Sequence, residues 1–536
     1  MSDIAVVRAA ASRPAINAWF VAVAVIIPTF MEVLDTTVAI VSLRYIAGEL
    51  SAAVVDAEWV LTSYLAANAT ILPISGWLSA RLGRRNYFLL SIAVFTIASA
   101  LCGMATSLWQ IVLFRVIQGL AGGGLQPSSQ AILIDSFPPE KQGAAMTIFG
   151  IAALTAPVVG PTLGGYLSDY HNWRWIFFIN IPIGSLALLM SYFLVKDPEY
   201  LRQERARLRR MPLNFDYIGL ALLALVMSAW EVLITKGQEF DWLGDPFGKV
   251  QTLLLIFALG GVALVVWELR RDNPVVNFRP LGERNFWVCC VIIFFAYSVL
   301  YGVSTSLPGL LQSLFGYDAF RSGLVMSPSG LASVSMLLIC GAMLGRGFDA
   351  RWLIGGGMLV VAAGCYWMSA MNLEISPLQA ILPRVVTIAG LGMAFAPINV
   401  AAFLYTPRHM RAAAVGLFAL LRNEGGSFGT SMARTVQERR DQFHTWRVGE
   451  FLDPFNPAVG SYLEQAQGLF YQQTGDPQAA QRMALQSLAN LRSQQAASLA
   501  YFDVFLMFAV LAVALAFLVL LMKRSVAEKG AHIGAE

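Results

Sequence analysis

Apolar runs of about 20 residues, separated by shorter polar stretches, recur along the whole chain. A helix of about 20 residues, rising 1.5 Å per residue, crosses a hydrocarbon core of roughly 30 Å. Each run therefore predicts a membrane span, and they fall near 16–41, 57–79, 86–105, 108–131, 144–168, 175–195, 217–235, 250–269, 286–309, 322–344, 352–371, 379–404, 412–436 and 501–522. Fourteen spans place both termini on one side of the membrane. The termini and alternate loops carry roughly twice the Lys and Arg of the opposite side, among them Arg81, Arg84, Arg85, Lys196, Arg202, Arg205, Arg207, Arg209, Arg210, Arg270, Arg271 and Arg408, so that side is expected to be cytoplasmic. The first run holds Glu32 and Asp35 and no small-residue cleavage site, which argues against a removable leader.

Loop lengths give the organisation. A basic stretch at 196–216, KDPEYLRQERARLRRMPLNFD, separates an N-terminal six-helix bundle at 1–195 from the rest. It is either a linker lying on the anionic inner leaflet or a solvated topology determinant. Two additional helices fill 217–285, and a C-terminal six-helix bundle occupies 286–536. The expected fold is all-α and integral to the membrane. Within the last bundle, an outside loop at about 440–500 contains two stretches of helical pattern, Asn456 to Gln473 and Pro477 to Ser498, read as amphipathic helices outside the membrane. A loop of that length is usually functional, as a docking surface or as a cap on the protein's own exit.

Composition narrows the function. Hydrophobic residues make up 57% and charged residues 13% of the 536, against roughly 25% charged in a soluble domain. The five cysteines lie in apolar runs without disulfide or metal spacing, the four histidines are scattered, and no phosphate-binding loop or nucleophilic triad is present. Enzyme chemistry, a metal and any cofactor other than a proton gradient are not expected. The net charge of +4 comes largely from loop arginines and reads as topology, with no nucleic acid as partner.

Ionisable residues inside spans are costly and point to function. Glu32 and Asp35, three apart on the first helix, share roughly one face. Two carboxylates close together in a low-dielectric cavity cannot easily both ionise, the property a proton carrier needs. Arg115 on the fourth helix is the obvious counter-charge, switching as the conformation changes or serving structure alone, with Gln118 three residues on. The second half adds Glu231, Arg384, Arg422 and Glu424, the last two too close in sequence to face each other. Gln118, Arg422 and Glu424 are candidates to line a substrate cavity, for which Phe294, Phe295 and Tyr297 offer aromatic surface or simply core.

Two glycine-rich stretches complete the pattern. GIAALTAPVVGPTLGG, from Gly150 to Gly165, has almost no polar side chains but carries Pro157, Pro161, Gly160 and Gly164, which predicts a kinked, closely packed helix. Its glycines are expected to pack against the second half of the protein in one of its states. GWLSARLGRRNYF, with Gly76, Arg81, Gly83, Arg84 and Arg85, predicts a tight cytoplasmic turn, and a fainter echo, GAMLGRGFDARW, recurs from Gly341 to Trp352.

These stretches, with LDTTVA at Leu34 to Ala39, RVIQG at Arg115 to Gly119, WRWIFFINIPIG at Trp173 to Gly184 and DPFNP at Asp453 to Pro457, resemble the fourteen-helix drug:proton antiporter branch of the major facilitator superfamily, and within it the EmrB-like exporters. Gly150 to Gly165 resembles the family's antiporter motif. The turn at Gly76 resembles its cytoplasmic loop motif, with Ala80 where the family usually has Asp. The resemblance implies proton-driven export of hydrophobic or weakly acidic compounds across the inner membrane of a Gram-negative cell, with a periplasmic adaptor and an outer-membrane channel. It leaves open a dedicated exporter of one aromatic acid or siderophore-like product, or a sensor that no longer transports. Glu32 and Glu424 are not assumed to be family acids, which leaves the substrate's charge open.

Overall fold

A backbone in hydrocarbon must satisfy its N–H and C=O groups internally, and this chain does so with helices. The computed structural model describes residues 17–137, 142–197, 216–271, 274–407, 410–453 and 455–526. The linker arginines from Arg202 to Arg210, and Arg408, lie outside the described residues. The helices, in order, are α1 (Ala18–Glu49), α2 (Trp59–Ile71, continued by Ser75–Leu82), α3 (Arg84–Met104), α4 (Leu108–Ser136), α5 (Gln142–Tyr170), α6 (Trp175–Leu194), α7 (Tyr217–Lys236) and α8 (Lys249–Arg270). There follow α9 (Arg284–Leu314), α10 (Ala319–Gly345), α11 (Ala350–Ser369), α12 (Pro377–Leu404), α13 (Arg411–Gly449), α14 (Pro457–Thr474) and α15 (Pro477–Leu518).

Twelve helices among the described residues are long and apolar enough by themselves to cross a membrane. The chain at the two other expected spans, near 57–79 and 412–436, is helical too, as α2, interrupted at Leu72–Ile74 around Pro73, and as the more charged α13, but neither meets that measure of length and hydropathy. Proline has no N–H to donate and breaks the helix ladder at that turn.

The packing repeats with an offset of eight helices, nine for the last helix because α14 precedes it. α1 packs on α5, α2 on α4, and α6 on α1 and α3; α9 packs on α13, α10 on α12, and α15 on α9 and α11. The turn motif repeats as well: Gly83 has φ 90° and Gly347 φ 87°, backbone open to glycine and strained for any other residue. Beyond the first turn, Arg84 pairs with Asp135 at the end of α4, and Arg85 donates to the Tyr192 carbonyl at 2.7 Å. Asp135 thus places a carboxylate beside this turn, where residue 80 is Ala. Gly83→Ala is expected to cost about 1 to 3 kcal/mol, seen as a lower melting temperature of the purified protein.

Contacts between the halves follow the same symmetry: α5 meets α10, and α13 meets α2. Helix α7 lies between the halves, against α2 and α13, and α8 packs chiefly on α7 with most of its surface outward. At the end of the bundle that carries α14, Glu58 pairs with Arg434 and with Lys236 (3.6 Å), and Lys236 also reaches Glu239 (2.8 Å). That cluster ties α2, α7 and α13 together.

The expected loop at about 440–500 is a helical hairpin. α13 runs on to Gly449, α14 returns along α15, and α15 continues without a break for 42 residues into the last span. The separate outer helix expected over Pro477 to Ser498 is therefore the first half of α15. Nothing between Gln478 and Leu518 is Gly or Pro, so the helix ladder has no reason to stop.

Candidate functional site

Asp35 lies midway along α1 and Arg115 two turns into α4, a helix capped by the Ser107 side chain accepting from the Gln110 N–H. Their side chains are 1% and 0% exposed and meet at 2.5 Å, Arg115 Nη1 to Asp35 Oδ2. The rest of the network holds both charges. Gln118 Nε2 donates to Asp35 Oδ1 at 3.0 Å and its carbonyl accepts from Arg115 Nη1 at 2.9 Å. Asn180 Nδ2 donates to Asp35 Oδ1 at 2.8 Å and to Ser99 Oγ at 2.9 Å. Arg115 Nε donates to the Val60 carbonyl at 2.9 Å, and the guanidinium lies 4.3 Å over the Tyr64 ring. Five helices, α1, α2, α3, α4 and α6, thus converge on one ion pair. A buried pair with its lone pairs occupied is tolerated, whereas a buried charge left alone costs about 3 to 5 kcal/mol.

Glu32, one turn away, belongs to a second network. Its Oε1 accepts from Tyr64 (3.3 Å) and Asn68 (3.2 Å), and its Oε2 from Gln126 Nε2 (2.6 Å). Gln126 Oε1 in turn accepts from Arg422 on α13, and Asn423 Nδ2 donates to Asn68 Oδ1 at 3.3 Å. The chain Glu32–Gln126–Arg422 crosses from the first half to the second. Glu32 and Asp35 therefore do not touch; Tyr64 links them, with its hydroxyl on Glu32 and its ring on Arg115.

The remaining candidates fall in three places. Tyr297 lies under the Arg422 guanidinium (5.7 Å) and beside Tyr301, and lines a small apolar crevice between the halves with Leu154 and Phe395. Phe294 packs on Phe295 and Phe428 instead. Glu424 turns away from Arg422, as their spacing requires, and faces Glu231 on α7. Arg384 occupies on α12 the place of Arg115 on α4, seven residues from the helix start, and donates to Ser304 of α9 at 2.6 Å. The second half thus repeats the arginine and has serine where the first half has Asp35.

The glycines of α5 divide between two partners, which corrects the expectation that all of them face the second half. Gly160 and Gly164 pack on Thr37 and Val38 of α1, in the same half. Gly165 faces the Ala319 backbone of α10, and Gly150 faces Phe395 and Leu337. Residues four apart share a helix face, and position 165 lies about 100° round from 164, which is why one motif serves both contacts. In the loop motif, Arg81 lies against Trp77 at 5.8 Å and Gly76 has open space around it.

Several site residues escaped the sequence reading. Asn180, Asn68, Tyr64 and Gln126 are uncharged, so a search for ionisable groups passes over them. A polar amide inside an apolar span was the available signal, and Asn180 stands in the stretch WRWIFFINIPIG.

A repeated helical bundle with a buried ion pair on the first repeat and a cross-half polar chain is the architecture found in membrane carriers built from internal repeats. The Major Facilitator Superfamily model matches residues 25–430, and the chain belongs to that family. It is 35% identical to the multidrug export protein EmrB of Escherichia coli (strain K12) over 472 residues, 87% of this chain and 89% of the relative. It is 34% identical to the fatty acid resistance protein FarB of Neisseria gonorrhoeae over 430 residues, 80% and 83% of the two chains. The fold is shared with a bacterial homolog of the human lysosomal transporter Spinster in an inward-facing conformation, with TM-score 0.56 and 18% identity over 95% of this chain and 97% of that one.

Proposed function

We propose that this protein is a proton-driven antiporter, exporting hydrophobic or amphipathic drugs and toxic compounds across the inner membrane as the pump of a three-part efflux system. Kinship with multidrug export proteins supports efflux of small molecules and a transporter in place of an enzyme. The observation that carries proton coupling is the sealed Asp35–Arg115 pair. Protonation of Asp35 removes the charge that holds Arg115, loosening the junction of α1 with α4 and α6. Loss of the proton restores it, so occupancy of one carboxyl biases one arrangement of the helices over another. Substrate meets the separate Glu32–Gln126–Arg422 chain, whose bonds to both halves break when the halves part. Both termini and the loop motif face the cytoplasm, and the α14–α15 hairpin faces the periplasm.

In everted membrane vesicles, adding a lipophilic substrate should release protons from the energised lumen. A sensor that kept the fold would bind without proton movement. A dedicated exporter would respond to a single compound, and Arg422 beside Tyr297 favours an acidic aromatic one.

The hairpin supports the partner assignment. Tyr462 and Ser487 clip α14 to α15 at 2.7 Å, Ala480 and Ala484 are buried, and Leu469, Leu485 and Leu491 remain exposed. An ordered apolar surface of this kind suits a periplasmic adaptor that leads to an outer-membrane channel. Replacing Ser461 to Gln494 with a short Gly/Ser bridge should leave vesicle transport intact while abolishing adaptor co-purification and cellular resistance. Full resistance after the deletion would sink docking, and loss of vesicle transport would favour a lid.

A further inference from the structure

Glu231 of α7 and Glu424 of α13 face one another, with Ser427 beside the first and Trp230 beside the second. The two glutamates are 0% and 4% exposed. Among the described residues the polar neighbours of the two carboxyls are each other, Ser427, 6% exposed, and the Trp230 side chain, with no cation among them. Aromatic rings wall the pair in: Trp230 stacks on Phe257 of α8 at 5.0 Å and lies parallel to Phe428 at 6.2 Å, and Phe428 meets Phe294 at 5.4 Å.

The charged groups on the surrounding helices are engaged elsewhere. Arg422 reaches Gln126, Lys236 reaches Glu58 and Glu239, and Arg434 reaches Glu58 and Glu438. On the far side of α13, Arg440 and His444 both meet Asp503 of α15. From α9 come two phenols, Tyr301 against Gly426 and Tyr297 under Arg422. Two bare carboxylates at such a place would repel in a low-dielectric surround with no cation to offset them. A single proton, carried by one carboxyl and donated to the other, would remove that repulsion.

The position gives that proton leverage. Helix α7 packs on α2 of the first half and touches α13 of the second, so a link between α7 and α13 feels any displacement of one half against the other. We propose that Glu231 and Glu424 share a proton and form a second ion-binding site of the carrier, in which the proton latches the additional helix α7 to α13. On release the proton passes to water and leaves two facing carboxylates, which push the helices apart. The role in transport rests on the proton-driven reading above, and the proton binding itself does not.

Infrared spectroscopy of the full chain in lipid nanodiscs, recorded through pH steps around neutrality, tests it. The wild type and Asp35→Asn should both show a protonated-carboxyl C=O band, and Glu231→Gln/Glu424→Gln together should lose it. If the double variant does not purify, Glu231→Gln alone should shift the band, because the partner changes from carboxyl to amide. A band unchanged by these substitutions, or one removed by adding sodium at constant pH, overturns the proposal, the second by making the pair a metal-cation site. If the band behaves as expected but vesicles show no substrate-linked proton movement, the antiport reading fails and the latch stands.

Discussion

Asp35→Asn is expected to reduce proton-driven substrate accumulation to the background of protein-free vesicles, with substrate binding retained. The amide has nearly the shape of the carboxylate and still offers an oxygen to Gln118 and Asn180, which both donate to Asp35 Oδ1. What it lacks is the charge facing Arg115 and the ability to take up a proton. Arg115 is 0% exposed, and stranding it costs about 3 to 5 kcal/mol, so a lower melting temperature should accompany the transport defect. Arg115→Lys should also fail, because an ammonium cannot bond Asp35, Gln118 and the Val60 carbonyl from one planar group. Binding measured by tryptophan quenching, beside uphill uptake in the same preparation, separates a coupling defect from a folding one. Wild-type uphill transport by Asp35→Asn would remove this residue from the mechanism.

Gly165→Leu should stop turnover for a different reason. A Cβ at Gly165 would lie 2.5 Å from the Ala319 carbonyl carbon and 2.7 Å from its oxygen, and one at Gly323 would meet the Thr162 backbone. Backbone cannot move aside as a side-chain tip can, so the α5–α10 contact between the halves cannot form. The variant should fold, since each half keeps its own packing, and be confined to arrangements in which α5 and α10 are apart. Tyr166→Cys/Phe320→Cys, at a pair of rings 5.6 Å apart across α5 and α10, supplies the readout: its crosslinking should fall sharply when Gly165→Leu is added. Gly164→Leu serves as the contrast. A Cβ there would lie 3.1 Å from the Val38 backbone on α1, inside one half, and the expected result is poor folding. Normal transport by Gly165→Leu would mean that α5 and α10 need not close at this point.

Much of this fold could be read from the chain because hydrocarbon imposes a blunt rule: apolar runs of about 20 residues become helices, and a buried charge needs a reason to be there. Asp35 and Arg115 stand out on that rule alone, and the structure brings them together. Partner choice was less accessible. Glu32 and Asp35 are three apart, a spacing that suggests a shared face, yet one joins Gln126 and the other Arg115. Their divergence is set by which residues α4 presents at each level, and sequence spacing on α1 carries no information about that. Glu424 was similarly ambiguous, because its partner Glu231 lies on a helix outside both repeats. The extent of α15 was hidden by a change in composition: its outer half is rich in Gln and Ala, its inner half in Leu, Val and Phe, and one unbroken backbone ladder runs through both.

The central claim is that proton movement and substrate movement are one exchange, and flux reversal in proteoliposomes tests it most directly. Purified protein is reconstituted with a lipophilic substrate at equal concentration on both sides, the membrane potential is clamped, and a pH gradient is imposed first in one direction and then in the other. The account predicts that substrate moves against the proton flow each time, accumulating in the more acidic compartment, and that Asp35→Asn shows neither movement. Substrate distribution that ignores the sign of the gradient in the wild type, with binding intact, would contradict it.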